Sequence, residues 1–306
     1  MGVQAGRPAV AEPGFGVGSG KSICGVRRAT VTAKPSLLCR LLLHAGTGSP
    51  HNWRIELTKP VVLVTNALKF AGPPAVESLL KAGFQVVVHD VAFTSFVAQE
   101  DYRGANPGVV VLPDQTPLEI VESAWAVSNR LDVLVSNDAY RLIHGSIEDA
   151  EMESLQSTLD RLVVFPFGIA RAAIPRLKAQ EKARIVFISS NRNRLPARGG
   201  SIPDIARAGA NALVKSLSIE LAPHGIPVNA IAPNYLSSET YYPKARFVDD
   251  AAGRAYIEQT VPAGRLADPE EIGELIRYLA TMQGTFMTGS IIDFSGGWPV
   301  ATQPPN

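Results

Sequence analysis

From residue 60 to residue 296 the sequence alternates between short apolar runs and longer segments with helical spacing. Continuous apolar runs are typical of strands that are covered on both faces of a sheet. Strands that alternate with helices imply right-handed crossovers, and therefore a doubly wound parallel sheet with helices on both faces. No second series and no linker interrupts the pattern, so we predict one α/β domain over residues 58–306. Its strands are expected at 60–65, 84–90, 109–112, 131–138, 184–190, 227–233 and 290–296.

The spacing of apolar residues predicts the helices between these strands. Val76, Leu79, Leu80 and Ala82 indicate a helix that ends at Gly83. The segment 149–178 is interpreted as two long helices. Further helices are expected at about 117–129, 202–222 and 270–282.

Basic charge is concentrated before this series. Residues 1–50 carry six basic side chains and one acidic side chain, although the whole chain has a net charge of +1. Their composition is rich in Gly, Pro, Ser and Ala and has no regular period, so we predict a basic, disordered extension over residues 1–57. A transit peptide, or a translation start placed too far upstream, would give the same composition. The segment 14–22 resembles a phosphate-binding loop, but Phe15 stands where that loop needs glycine and no strand precedes it.

Composition excludes several function classes. A net charge of +1 gives no argument for nucleic-acid binding, and no apolar run approaches the ~20 residues of a membrane-spanning helix. Both cysteines, Cys24 and Cys39, lie before residue 58, so the domain has neither a disulfide nor a cysteine metal site. We predict a cytoplasmic protein with no metal, nucleic-acid or membrane partner.

The turn after the first predicted strand is unsuited to a dinucleotide cofactor. Such turns use glycines so that a pyrophosphate can approach the backbone and the helix N-terminus. Here Asn66 and Phe70 occupy two of the glycine positions, and only Gly72 is retained. Asp90, after the second strand, is interpreted as a turn residue. We therefore expect no nicotinamide cofactor.

Two groups of polar residues follow later strands, at the edge where such sheets bind ligands. Ser190 ends the fifth strand, and Arg207 follows on the next helix, where a hydroxyl and a guanidinium could polarise a substrate oxygen. After the sixth strand, residues 233–236 read Pro-Asn-Tyr-Leu and are followed by further aromatic residues. Backbone N–H groups in such a turn form a small-anion site.

Together these segments resemble the halohydrin dehalogenases, a cofactor-independent branch of the short-chain dehydrogenases/reductases with a Rossmann-like fold. Thr65, Phe70 and Gly72 fit the first-turn motif of that family. The resemblance extends over about residues 60–300 and includes VSND, ARAGA, PNYLSSE, MTGS and GGWP at 135–138, 206–210, 233–239, 287–290 and 296–299.

The resemblance implies a lyase that converts vicinal haloalcohols to epoxides and halide, and that opens epoxides with small anions in reverse. Ser190 would hold the substrate oxygen, Arg207 would tune a catalytic tyrosine, and Asp138 behind Arg207 would help the proton to leave. Phe70 would close the pocket where nicotinamide would lie. The halide site would be formed by Pro233, Asn234, Tyr235 and Leu236. A homotetramer is also implied.

One position departs from the family pattern. The catalytic tyrosine is expected thirteen residues after Ser190 and four before Arg207, where this chain has Pro203. The fold tolerates the change, because Ser201 can cap the helix and leave Pro203 in its first turn. The chemistry loses a hydroxyl whose general acid–base help is typically worth ~10²–10⁴ in rate. Substitutes in reach of the pocket would be Tyr140, His144, Asp138 and Asp204, although each is more readily a structural or surface residue.

Three functions therefore remain open from the sequence. The first is a halohydrin dehalogenase-like lyase with impaired activity. The second is a non-catalytic protein that retains the pocket for a small ligand or anion. The third is a nicotinamide-dependent oxidoreductase, against which Phe70 and Pro203 both argue.

Overall fold

The structure, a computed structural model, describes residues 59–300. The predicted extension over residues 1–57, with both cysteines, lies outside the described residues. The strands are β1 (Val61–Thr65), β2 (Gln85–His89), β3 (Val109–Leu112), β4 (Val133–Asn137), β5 (Arg184–Ile188), β6 (Val228–Pro233) and β7 (Ile291–Phe294). They form one parallel sheet in the order β3-β2-β1-β4-β5-β6-β7. The predicted Rossmann-like α/β fold is confirmed.

Helices cover both faces of the sheet. They are α1 (Gly72–Lys81), α2 (Phe96–Ala105), α3 (Pro117–Ala126), α4 (Met152–Leu159), α5 (Phe165–Leu177), α6 (Ser201–Leu221), α7 (Lys244–Phe247), α8 (Ala251–Thr260) and α9 (Pro269–Thr281). Among the described residues, no helix is long and apolar enough to cross a membrane.

Alternate side chains of each strand enter two separate cores. Val62 and Val64 pack in one core with apolar residues of α1 and α9, while Val61 and Leu63 pack in the other with residues of α3, α5 and α6. All four of these residues are fully buried. The continuous apolar runs of the sequence are therefore explained by burial on both faces of the sheet.

Four helical segments differ from the sequence predictions. The segment predicted as two long helices, 149–178, is one continuous helical run, because the π-helical turn Asp160–Val164 joins α4 directly to α5. Pro166 has no N–H for the usual hydrogen bond, and the wider turn accommodates it. The helices α2, α7 and α8 were not predicted, since α2 and α8 have few buried residues and α7 is a single turn.

The predicted cap of α6 is also wrong. Ser201 is the first helical residue, and Gly200 occupies the N-cap position without a side-chain hydrogen bond. Pro203 nevertheless lies in the first turn, where its missing N–H has no helical partner to lose.

Gly72 is required for packing at the start of α1. A Cβ atom on this residue would lie 2.5 Å from the backbone oxygen of Ala67, which cannot move without displacing the first turn. The one glycine that the turn retains therefore serves the close contact between helix and strand.

We predict that Gly72→Ala lowers the free energy of unfolding by about 1–3 kcal/mol, the usual cost of overpacking. Gly104→Ala in α2 is the matched control, because no atom lies within 4 Å of the added Cβ. It should be neutral or stabilise the protein by up to about 1 kcal/mol, since alanine is the better helix former. Urea unfolding of the two variants measures both effects, and equal destabilisation would contradict the packing role of Gly72.

Candidate active site

The carboxyl ends of the central strands open into a cavity of about 950 Å³. Phe70 from the turn after β1, Ser190 after β5 and Arg207 on α6 all line it. The turn of residues 233–236 after β6 closes another side. This is the edge where ligands bind in doubly wound sheets, because the strand ends and the helix N-termini converge there.

The structure brings most of the predicted site residues to this one cavity. Asp138 and Asp204 are the exceptions, since neither lines the cavity and Asp138 is only 1% exposed. His144 is exposed on the loop that borders it. The lining includes Phe70, Tyr140, His144, Ser190, Pro203, Arg207, Pro233, Asn234, Tyr235 and Leu236.

Arg207 is a buried cation with two fixed hydrogen-bond partners. Its side chain projects from the second turn of α6 and is 5% exposed. Nη1 donates to the main-chain oxygen of Asp138 at 2.7 Å, and Nη2 donates to the phenol oxygen of Tyr241 at 3.3 Å. A guanidinium stays charged at any relevant pH, so it supplies a permanent positive charge at the cavity wall.

Asp138 lies behind Arg207 and is largely withdrawn from water. Burial raises the pKa of its carboxyl group to about 7, while the hydroxyl of Ser136 and the charge of Arg207 oppose that rise. Ser136 Oγ donates to Asp138 Oδ1 at 2.8 Å. The hydrogen bond from Arg207 goes to the main-chain oxygen of Asp138.

Ser190 links the end of β5 to the turn after β6. Its hydroxyl donates to the main-chain oxygen of Pro233 at 3.3 Å and accepts from the N–H of Arg192 at 3.2 Å. The side chain of Arg192 forms an ion pair with Asp204 at 2.5 Å. The carboxylate of Asp204 is therefore occupied by this ion pair.

The turn of residues 233–236 is held by its own side chains. Tyr235 has a positive φ of 57°, and its N–H donates to Asn234 Oδ1 at 3.1 Å. The same Oδ1 accepts from the hydroxyl of Tyr242 at 2.7 Å. No hydrogen bond joins the Leu236 N–H to another residue between 59 and 300. The Leu236 N–H thus has no protein acceptor among these residues.

Aromatic packing makes this turn rigid. The Tyr235 ring lies against Tyr242 and Trp298, with centroid distances of 5.2 and 5.9 Å. Burial raises the pKa of both tyrosines above the ordinary value, so their hydroxyls stay neutral. An anion at the turn therefore meets no phenolate there.

The residues after β1 and β2 do not fit a dinucleotide. Pro73 and Pro74 lie in the first turn of α1, so two N–H groups that would face a pyrophosphate are missing. The carboxylate of Asp90, which could hold a ribose, instead accepts from the N–H groups of Leu68 and Ala92, both at 3.0 Å. Asp90 is thus a turn residue, as predicted.

Phe70 lies in the turn that joins β1 to α1. It has a positive φ of 57°, is half-buried and lines the cavity. Its ring meets the ring of Tyr241 edge to face, with centroids 5.0 Å apart. Phe70 thus connects the turn after β1 to the cavity wall at Tyr241.

Sequence reasoning did not single out Tyr241 as a site residue. Its phenol oxygen donates to the main-chain oxygen of Tyr140 at 2.7 Å and accepts from the Tyr140 N–H at 3.1 Å, besides its contact with Arg207. The only signal in the sequence is the pair of tyrosines that follows the turn of residues 233–236. No spacing rule connects residue 241 with residue 207, because the two lie on different elements.

Comparison with known proteins identifies the family. A family model described as enoyl-(acyl carrier protein) reductase matches residues 74–299. The chain belongs to the short-chain dehydrogenase/reductase family. A tropinone reductase homolog from Arabidopsis thaliana is 29% identical in an alignment of 264 positions that covers 81% of this chain and 95% of that protein.

Two solved structures of this family are similar to the chain. One is described as a dehalogenation enzyme; it is 32% identical, with a TM-score of 0.75, over 79% of this chain and 99% of its own. The other is a halohydrin dehalogenase bound to ethyl (2S)-oxiran-2-ylacetate; it is 31% identical, with a TM-score of 0.77, over 80% of this chain and 100% of its own. The family and these neighbours are enzymes.

The raised pKa of Asp138 predicts a pH-dependent stability. In the unfolded chain the carboxyl group titrates near its ordinary value of 3.8, and in the folded chain near 7. The folded protein therefore binds the extra proton between these values. Its stability contribution is complete below pH 4 and is lost as pH rises to about 7, by at most about 1.4 kcal/mol per pH unit.

Asp138→Asn isolates this contribution, since the amide oxygen can still accept from Ser136. We expect the variant to gain stability relative to the native chain as pH rises from 4 to 7. Chemical denaturation at several pH values measures the difference. A difference that is independent of pH would show that Asp138 does not titrate with this shift.

Proposed function

We propose that this protein is a halohydrin dehalogenase-like lyase. It would convert vicinal haloalcohols to epoxides and halide, and open epoxides with small anions in reverse. The observation that carries the proposal is the joint position of Ser190, Arg207 and the turn of residues 233–236 on one cavity, with Phe70 closing the cofactor side.

The geometry supports a division of roles. The Ser190 hydroxyl would hold the substrate oxygen in place of its present partners. The Leu236 N–H and the adjacent turn would receive the halide. The fixed charge of Arg207 would stabilise the negative charge that develops on the substrate oxygen. The proton of the substrate hydroxyl also needs an acceptor.

The similar structures support the same chemistry. One is a dehalogenation enzyme, and the other is a halohydrin dehalogenase with a bound epoxide. The homotetramer and the cytoplasmic location remain predictions from the sequence.

An oxidoreductase is the second candidate, because the matched family model and the tropinone reductase homolog carry reductase names. The absence of N–H groups at Pro73 and Pro74, the engaged carboxylate of Asp90 and the position of Phe70 all weigh against it. Binding of NADH or NADPH, with reduction of a carbonyl compound, would assign this function instead. Halide binding with no turnover of any haloalcohol would indicate a binding protein.

Turnover of the native chain is the direct test. We expect halide release from a vicinal bromoalcohol and azide-dependent opening of a terminal epoxide, without added nicotinamide cofactor. Absence of both reactions would contradict the lyase proposal.

We further predict that Asn234→Asp weakens bromide binding at least tenfold. The variant keeps the oxygen that accepts from Tyr235 and Tyr242, but it adds a negative charge beside the anion. Coulomb repulsion of about 1.4 kcal/mol, easily reached at short range, corresponds to that factor. Isothermal titration calorimetry with bromide provides the measurement.

Asn129→Asp is the matched control, since it makes the same charge change on an exposed residue outside the cavity. It should bind bromide as the native chain does. Equal affinity of Asn234→Asp and Asn129→Asp would place the anion elsewhere than the turn of residues 233–236.

A further inference from the structure

We propose that Tyr241 is the catalytic tyrosine of this protein and compensates for Pro203. This inference rests on the proposed function and adds the residue that accepts the substrate proton. Tyr241 lies in the loop after β6, whereas residue 203 lies one turn before Arg207 on α6. Both residues line the cavity.

The contacts of Tyr241 suit proton transfer. Its hydroxyl donates to the main-chain oxygen of Tyr140 at 2.7 Å, and the same oxygen accepts from the buried guanidinium of Arg207 at 3.3 Å and from the N–H of Tyr140 at 3.1 Å. A cation and a second donor directed at one oxygen stabilise negative charge on it. The edge-to-face contact with Phe70 holds the ring at 5.0 Å between centroids. The hydroxyl is thus placed beside the permanent charge of the site.

The other proton acceptors at or near the cavity have no hydrogen bond to Arg207. Asp204 does not line the cavity and is paired with Arg192, and Asp250 caps α8 through its bond to the Gly253 N–H. The hydroxyl of Tyr242 donates to Asn234.

Three residues that the sequence suggested as proton acceptors are also less suitable than Tyr241. A hydrogen bond with Ser157 lowers the pKa of Tyr140, but that bond directs its hydroxyl to α4, and only its main chain reaches Tyr241. His144 is exposed on the bordering loop, and Asp138 does not line the cavity. Of the described residues, Tyr241 alone lines the cavity and has an ionisable oxygen hydrogen-bonded to Arg207.

The chemical step balances without a cofactor. Tyr241 first releases its own proton to water, and its oxygen then accepts the proton of the haloalcohol hydroxyl. The substrate oxygen then forms a bond to the neighbouring carbon, and the carbon–halogen bond breaks, with its electron pair leaving on the halide. The proton passes from Tyr241 to water. In reverse, an anion attacks the epoxide carbon, the carbon–oxygen bond breaks, and Tyr241 returns a proton to the oxygen.

Tyr241→Phe tests the assignment, with bromoalcohol turnover and bromide affinity measured on the same preparations. We expect a fall in kcat of ~10²–10⁴, the usual worth of general acid–base catalysis, with bromide affinity within threefold of the native chain. Tyr278→Phe is the matched control, because this tyrosine is exposed on α9 and does not line the cavity. It should leave both measurements unchanged.

The double variant Tyr241→Phe/Pro203→Tyr separates chemistry from structure. A tyrosine at position 203 would lie one helical turn before Arg207, on the same face of α6. Regained turnover would show that Tyr241→Phe is inactive because it lacks a hydroxyl near Arg207. If Tyr241→Phe keeps its turnover, or loses bromide binding along with turnover, the assignment is wrong.

The same measurements distinguish an error in the lyase proposal from an error in the assignment of Tyr241. A native chain that neither binds bromide nor turns over the bromoalcohol would refute the lyase itself. A native chain that binds bromide and becomes active only as Pro203→Tyr would leave the pocket assignment intact and overturn the role of Tyr241.

Discussion

The buried guanidinium of Arg207 is the group on which the rest of the site depends. A cation that is 5% exposed needs fixed hydrogen-bond acceptors, because removal from water is costly when a charge is unpaired. Here the acceptors are the main-chain oxygen of Asp138 and the phenol oxygen of Tyr241. This requirement draws the end of β4 and the loop after β6 to α6, and the cavity is the space that they enclose.

The chain departs from the usual pattern of the fold at two positions, and both line the same cavity as Arg207. Phe70 replaces a glycine in the first turn and packs against Tyr241, while Pro203 removes a hydroxyl from α6. The first change places an aromatic ring in the turn after β1, and the second leaves no hydroxyl one turn before Arg207. Tyr241 contacts both Phe70 and Arg207, so one aromatic side chain links the turn after β1 to the charged centre.

Most of the fold could be predicted from the sequence, because burial on both faces leaves continuous apolar runs such as residues 61–64. Weakly buried helices left no such pattern, and α2, with no buried residue, was missed for that reason. The candidate site was predicted in part. Ser190, Arg207 and residues 233–236 follow strands directly, and the parallel sheet brings strand ends to one edge. The cap at Ser201 was wrong, because Gly200 takes that position.

The sequence by itself determined the parallel α/β sheet, the lack of a glycine-rich first turn and the presence of proline at residue 203. These are properties of local residue type and periodicity. Only the tertiary structure decided which side chain approaches Arg207. Tyr241 is separated from it by 34 residues, and the loop that carries it is positioned by hydrogen bonds to the main chain of Tyr140, 101 residues away. Such a contact depends on how distant loops pack, which periodicity and spacing do not encode.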